Sequence, residues 1–296
     1  MLNPKHLLRL GIQSVQSWSN DYAPSMGAAI SYYTVFSLAP LLVIVIAVAG
    51  GVFGREAVMG EITGQISGMV GPQGAQMVER LVAQHSDTER GLVAGLASFV
   101  LLLVGATTVF AELQNALDRI WKVPEANKPA GIVGILRARL LSFGLILAVA
   151  FLLMVSLLVS ALLASVGTWA GGLVPGWEAL LQGLNLLVSL VFLSALFATI
   201  FKLMPSAPVR WSDVWVGAIV TALLFEVGKL LIGLYIGKSR VNESFEAAGA
   251  LVILLVWVYY AAQIFLLGAE FTKAYADAHG SLSGPRKAPQ ENPTRD

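Results

Sequence analysis

Residues 247–269 read AAGALVILLVWVYYAAQIFLLGA, with no Asp, Glu, Lys or Arg between Glu246 and Glu270. A helix needs about 20 mostly apolar residues to cross a bilayer. A transmembrane strand would instead alternate apolar and polar residues over short segments. Only helices and closed barrels satisfy their backbone groups in lipid. The stretch therefore predicts a membrane-spanning helix.

Outward from it, five more spans are expected. They cover 28–50, 91–111, about 140–165, 179–201 and about 214–236. The fifth of the six is interrupted by Glu226 and Lys229. Composition agrees. Of 296 residues, 56 % are hydrophobic and only 12 % charged, and mean hydropathy is +0.74. A soluble domain carries about twice that share of charge. The fold expected is all-α, a polytopic membrane protein with about six transmembrane helices.

The net charge of +1 says little, but its distribution says more. With six spans, thirteen Lys and Arg fall on the side of the N-terminus, the second loop, the 202–210 junction and the tail. Five fall on the other side, and Lys229 lies within a span. Basic residues accumulate on the cytoplasmic side. Both termini are therefore expected in the cytoplasm. The first apolar run is too long for the core of a cleaved signal and should remain as the first span.

Three regions follow. Residues 1–27 form a cytoplasmic segment in which Leu8, Ile12, Val15 and Trp18 recur at helical spacing. That pattern fits an interfacial helix or a helix docked on the bundle. Residues 28–272 form the transmembrane domain. Its first loop, 51–90, is the largest external piece, and Gly71, Pro72 and Gly74 should break it into two short helices. Residues 273–296 form a tail, rich in Pro, Gly, Ser and charge from Gly280 onward, that should be disordered.

There is no cysteine, so thiolate metal sites and a cysteine nucleophile are excluded. His6, His85 and His279 are far apart in sequence, which argues against a histidine-rich metal centre. No HExxH, GxSxG or paired-aspartate signature occurs. No cofactor is expected. Nuclease chemistry would need a carboxylate cluster or acid–base pair open to a large polar substrate. The five basic residues of the second loop make no broad nucleic-acid footprint. The chain therefore reads as no enzyme and no nucleic-acid binder.

Ionisable groups inside spans are costly and usually face protein or water. Glu226 and Lys229 are three apart and share a helix face. They serve either transport and gating or a structural clamp. Glu112 and Asn115 form a second pair of this spacing, for function or for capping and interhelical bonds. Gln263 and Glu270 share a face of the sixth span, and Asn185 and Ser189 a face of the fourth. Lys202 closes the fourth span. Ser31 and Tyr32 give the first span a polar entrance, and Pro40 removes one backbone donor there, as a kink or as a hinge. Together Ser31, Tyr32, Pro40, Glu112, Asn115, Asn185, Lys202, Glu226, Lys229, Gln263 and Glu270 are candidates for a polar path between helices. Gly91 with Gly95 and Gly233 with Gly237 have the spacing that lets helix backbones approach in lipid.

Four stretches carry a resemblance: AAISYYTVFSLAPLL at 28–42, ELQNALDRIWKV at 112–123, FKLMPSAPVRWSDVWVGA at 201–218 and LLVWVYYAAQIFLLGAEF at 254–271. In that order they resemble the YihY/BrkB family of bacterial inner-membrane proteins, over about residues 5–272. The resemblance implies six spans and a place in the inner membrane. Members have been labelled ribonuclease or serum-resistance factors, and transport of lipid or lipopolysaccharide-related material has been attributed to others. No catalytic residue is carried over. The family's characteristic positions fall on Ser31, Tyr32, Pro40, Asn115, Lys202, Pro205, Trp211, Gly217, Trp257, Gly268, Ala269 and Glu270. Phe245–Gly249 departs from the Tyr-Gly pair common at that place.

The function expected is a transporter or flippase-like protein for a lipid, glycolipid or other envelope-related substrate. The alternative is a non-catalytic envelope scaffold or assembly factor that meets protein partners through 51–90. Membrane lipids are the expected surroundings in either case.

Overall fold

The computed structural model describes residues 4–86, 92–124, 177–238 and 246–280, with isolated positions between 144 and 159. The expected third span, the third and fifth loops and the tail beyond Gly280 lie outside the described residues. So do Gly91 and the surroundings of Gly95, Gly233 and Gly237.

Every element among the described residues is a helix. In chain order they are α1 (Pro4–Asn20), α2 (Ala23–Phe53), α3 (Arg55–Ser86), α4 (Leu92–Ile120), α5 (Trp177–Leu203), α6 (Trp211–Lys238) and α7 (Glu246–Ala278). Three contain segments long and apolar enough to cross a membrane: Leu186–Leu203, Trp211–Lys229 and Leu251–Ala278. The bent α2 makes a fourth if its two halves form one span. The protein is thus an all-α, multi-pass membrane protein.

The two halves of α2, Ala23–Leu38 and Leu41–Phe53, meet at 48°. The bend falls where Pro40 brings no amide hydrogen to the helix ladder, the usual origin of a sharp kink. At the far end of α2 the chain reverses through Gly54, whose φ of +87° suits a residue without Cβ. Its N–H donates to the Gly50 carbonyl at 2.9 Å.

Past this turn the structure corrects the sequence reading. Residues 55–86 are one continuous helix with Pro72 inside it, not two short helices. An internal proline costs a helix about 3 kcal/mol. Here Val58, Val78 and Val82 are buried with Leu42, Ile46 and Ala49 of α2 and Ile253 and Leu254 of α7. That burial offsets the proline. The segment is therefore part of the bundle's packing rather than only a soluble loop.

Helix α1 docks on α7. Leu10 is buried with Phe271 and Ala274, and the His6 and His279 rings meet edge to face at 4.8 Å. This brings together two histidines that sequence separation had kept apart. Beyond the expected boundary at residue 272, α7 runs on as helix to Ala278, forming this docking face.

The α6–α7 seam is antiparallel and very close. A Cβ on Gly217 would lie 1.8 Å from Thr272 Oγ1, and one on Gly268 would lie 1.9 Å from Thr221 Oγ1. Each threonine donates to the carbonyl four residues back, Thr221 to Gly217 and Thr272 to Gly268, both at 2.7 Å. Two Gly-x-x-x-Thr segments thus interlock reciprocally, each threonine seated on the other helix's glycine. Further along, Tyr260 occupies the space above Gly228.

Candidate functional site

Between these helices lies a half-open cavity of about 350 Å³. Each helix except α1 contributes a wall residue: Thr34 from α2, Ile66 from α3, Leu113 from α4, Phe197 from α5, Phe225 from α6 and Trp257 from α7. The wall is apolar, since the Thr34 hydroxyl donates to the Ile30 carbonyl at 2.7 Å. Aromatic contacts fix its shape. Phe225 meets Trp257 edge to face at 5.8 Å, Phe197 meets Phe225 at 5.9 Å, and Phe201 meets Phe265 at 5.1 Å. Such pairs stabilise by about 0.5–1.5 kcal/mol beyond area burial. An apolar cavity of this kind suits hydrocarbon, not an ion.

Beside the cavity Lys229 Nζ pairs with Glu226 Oε2 at 2.7 Å. Ser189 of α5 donates to Glu226 Oε1 at 3.5 Å. The Glu226 side chain is 15 % exposed and that of Lys229 36 %, so Lys229 is the more open of the two. The expected shared face of Asn185 and Ser189 is answered only at Ser189. Asn185 lies on α5, and its surroundings are outside the described residues.

A different polar layer joins the end of α4 to the α5–α6 turn. Asp118 is buried and accepts from the Ser206 backbone N–H at 2.6 Å and from the Ser206 hydroxyl at 3.0 Å. Gln114 donates to the same hydroxyl at 3.4 Å. Lys202 donates across the turn to the Val209 carbonyl. Asp118 and Gln114 were not singled out from sequence. The signal was the proline-bounded turn PSAP at 205–208, whose freed backbone groups need side-chain partners, beside an aspartate on an otherwise buried helix face.

Glu270 is 1 % exposed, and its Oε1 has no hydrogen-bond partner among the described residues. Asp21, from the α1–α2 turn, acts on its carboxyl, as do the charges of Lys273 and Lys122. Gln263 Nε2 approaches the Ala23 carbonyl at 3.5 Å and fills the space above Gly27, while its Oε1 has no partner among the described residues. At the same turn Tyr22 has a left-handed φ of +58°, and the Arg119 guanidinium lies 5.6 Å from its ring centroid.

The eleven candidates therefore distribute over several places. Ser31 is buried and donates to the Ala28 carbonyl at 3.2 Å. Tyr32 faces outward with Tyr33 and Phe36 around it. Asn115 is exposed and Glu112 half-buried. Pro40 marks the bend of α2. Glu226 with Lys229 meets α5 through Ser189, whereas Gln263 and Glu270 meet the α1–α2 turn. Among the described residues no three His, Cys, Asp or Glu side chains gather to hold a metal.

Comparison with known proteins places the chain. A family model described as virulence factor BrkB matches residues 14–293. A UPF0761 membrane protein of Verminephrobacter eiseniae is 30 % identical over 261 residues, covering 85 % of this chain and 58 % of the relative. One from Ralstonia nicotianae is 31 % identical over 255 residues, with 84 % and 54 % covered. One from Pseudomonas aeruginosa is 28 % identical over 252 residues, with 84 % and 58 % covered. The chain thus spans a little over half the length of the curated relatives it matches. No solved structure matches it. It is a multi-pass protein of the bacterial inner membrane, in contact with membrane lipid. The match over nearly the whole chain bears out the resemblance read from its four motifs: this protein belongs to the BrkB family.

Proposed function

We propose that the protein is an inner-membrane transporter or flippase-like protein for a lipid, glycolipid or other envelope-related substrate. The observation that carries this reading is the half-open, wholly apolar cavity walled by six helices. Such a space takes an acyl chain and leaves the headgroup outside. The 48° bend of α2 beside it is the irregular backbone that membrane transporters place at their sites.

On this reading the chain crosses the membrane six times with both termini in the cytoplasm. Helix α1 then lies on the cytoplasmic surface. Leu10 docks it to α7, while Leu8, Ile12 and Val15 stay exposed and point toward lipid. The exposed face of α3, with Glu61, Glu79 and Arg80, is left to meet an envelope partner.

The test fills the cavity. Ala261→Phe should return leaflet exchange of a fluorescent phospholipid, in vesicles holding the purified protein, to the protein-free rate. Its abundance and thermal midpoint should stay near those of the parent. Parent protein that exchanges lipid no faster than empty vesicles would sink the proposal.

A further inference from the structure

The Glu226–Lys229 pair has more capacity than the structure uses. Segment Trp211–Lys229 is 19 residues long. At 1.5 Å per residue it rises about 28 Å, nearly the ~30 Å of bilayer hydrocarbon. Trp211 lies at the end of the bundle that carries Ser206 and α1. Helix α6 runs on to Lys238, so Lys229 sits below the headgroups of the opposite leaflet, toward which a lysine stem extends its ammonium. Glu226 lies one turn deeper and is covered by Ser189. A lysine whose side chain is 36 % exposed in hydrocarbon would be costly, so its place at this depth points to a polar group outside the protein.

We propose that Glu226, Lys229 and Ser189 form a headgroup site for a zwitterionic phospholipid that bears a phosphate and a primary ammonium. This rests on the lipid-handling reading and names the substrate class of that site. Lys229 donates to the phosphate, and Glu226 with Ser189 accepts from the ammonium N–H groups. The pair is neutral overall, so a neutral, doubly charged headgroup matches it. A purely anionic headgroup would set its phosphate beside Glu226 with no cation of its own. A quaternary ammonium carries no N–H for Glu226 or Ser189 to accept. The acyl chains have a place as well. Phe225, the neighbour of Glu226, lines the cavity, and Tyr260 packs on Gly228 between the two charged residues.

Retention of lipid on the purified full chain, read by native mass spectrometry, tests the site without requiring translocation. Phosphatidylethanolamine should be retained about fivefold over phosphatidylcholine and phosphatidylglycerol, a difference of roughly 1 kcal/mol. Lys229→Met should lose retention of all three, and Lys229→Arg should restore it. Glu226→Gln should keep phospholipid but lose the preference for the primary amine. Should the single variants fail to fold, the exchange Glu226→Lys with Lys229→Glu keeps an ion pair and should still abolish selectivity. Equal retention of the three lipids in the parent, or a preference unchanged in Glu226→Gln, overturns the assignment. Equal protection by water-soluble glycerophosphoethanolamine would move the site from a lipid to a free metabolite and overturn it too. Leaflet exchange without headgroup preference would sink this site and leave the transport reading standing. Selective retention without exchange would do the reverse.

Discussion

Along the α6–α7 seam, Thr221 and Thr272 each bond a carbonyl of their own helix and fill the space over a glycine of the other. In the Asp118 layer both carboxylate oxygens are taken by Ser206. A few turns away the packing stops. Ile30, Thr34, Phe225 and Trp257 leave about 350 Å³ unfilled, and Lys229 reaches outward. The sequence has small residues and charges in both regions. Where polar atoms are fully matched within the protein and glycine admits a neighbour, the group serves the fold. Where a charge is half open beside an unfilled apolar wall, it is available to something outside. The same contrast says which substitutions should unfold the protein and which should spare it.

The largest effect belongs to the interlocked seam. Gly268→Val puts carbon where Thr221 Oγ1 already stands, 1.9 Å from an ideal Cβ. Overpacking of this kind costs about 1–3 kcal/mol, occasionally more. We expect loss of folded protein from the membrane, measured as detergent-stable monodisperse material. Gly268→Val combined with Thr221→Ala should recover part of it, since the colliding hydroxyl is gone. A fully stable Gly268→Val would break the comparison, because the seam would then be no tighter than the cavity region.

This seam also shows what was legible in the sequence. Charge-free runs marked the helices, and Pro40 marked the bend of α2. Glycine spacing within one helix marked only where a backbone could approach, and it selected Gly91, Gly95, Gly233 and Gly237. Which glycine receives a neighbour depends on the partner helix. The usable pattern was a pair of Gly-x-x-x-Thr segments, 217–221 and 268–272, one on each helix. Helix α3 was misread because its mean hydropathy is low. Its buried positions form a narrow stripe, and Gly71, Pro72 and Gly74 look like breaks unless the packing against α2 and α7 is known. Glu226 and Lys229 were legible as a pair at helical spacing, but not Ser189's approach from α5. Asp118 was passed over because an aspartate beside Arg119 reads as a solvated helix end until the 204–210 turn folds onto it.

The middle effect belongs to Asp118. Asp118→Ala leaves the Ser206 N–H and hydroxyl without their acceptor at a buried position. A buried donor left unmatched costs about 1–3 kcal/mol. Thermal midpoint should fall clearly, with lipid retention at Glu226 and Lys229 unchanged in the protein that remains folded. Loss of lipid retention at full stability would mean that the Asp118 layer and the headgroup region are one functional unit, and the division between closed and open regions would fail.

The smallest effect is expected at Asn115, one of the polar-path candidates yet exposed on α4. It sits one residue before Ala116 and three before Asp118, both buried, so the helix face it occupies is set by those neighbours. An exposed polar side chain with no packing role changes stability by about 0.5 kcal/mol or less when truncated. Asn115→Ala should therefore melt like the parent. A substantial drop in midpoint would show that Asn115 is held against residues outside the described set, and would shift it to the closed class with Asp118. Unchanged stability with lost leaflet exchange would put it in the open class with Lys229, as a side chain that works by meeting something beyond the fold.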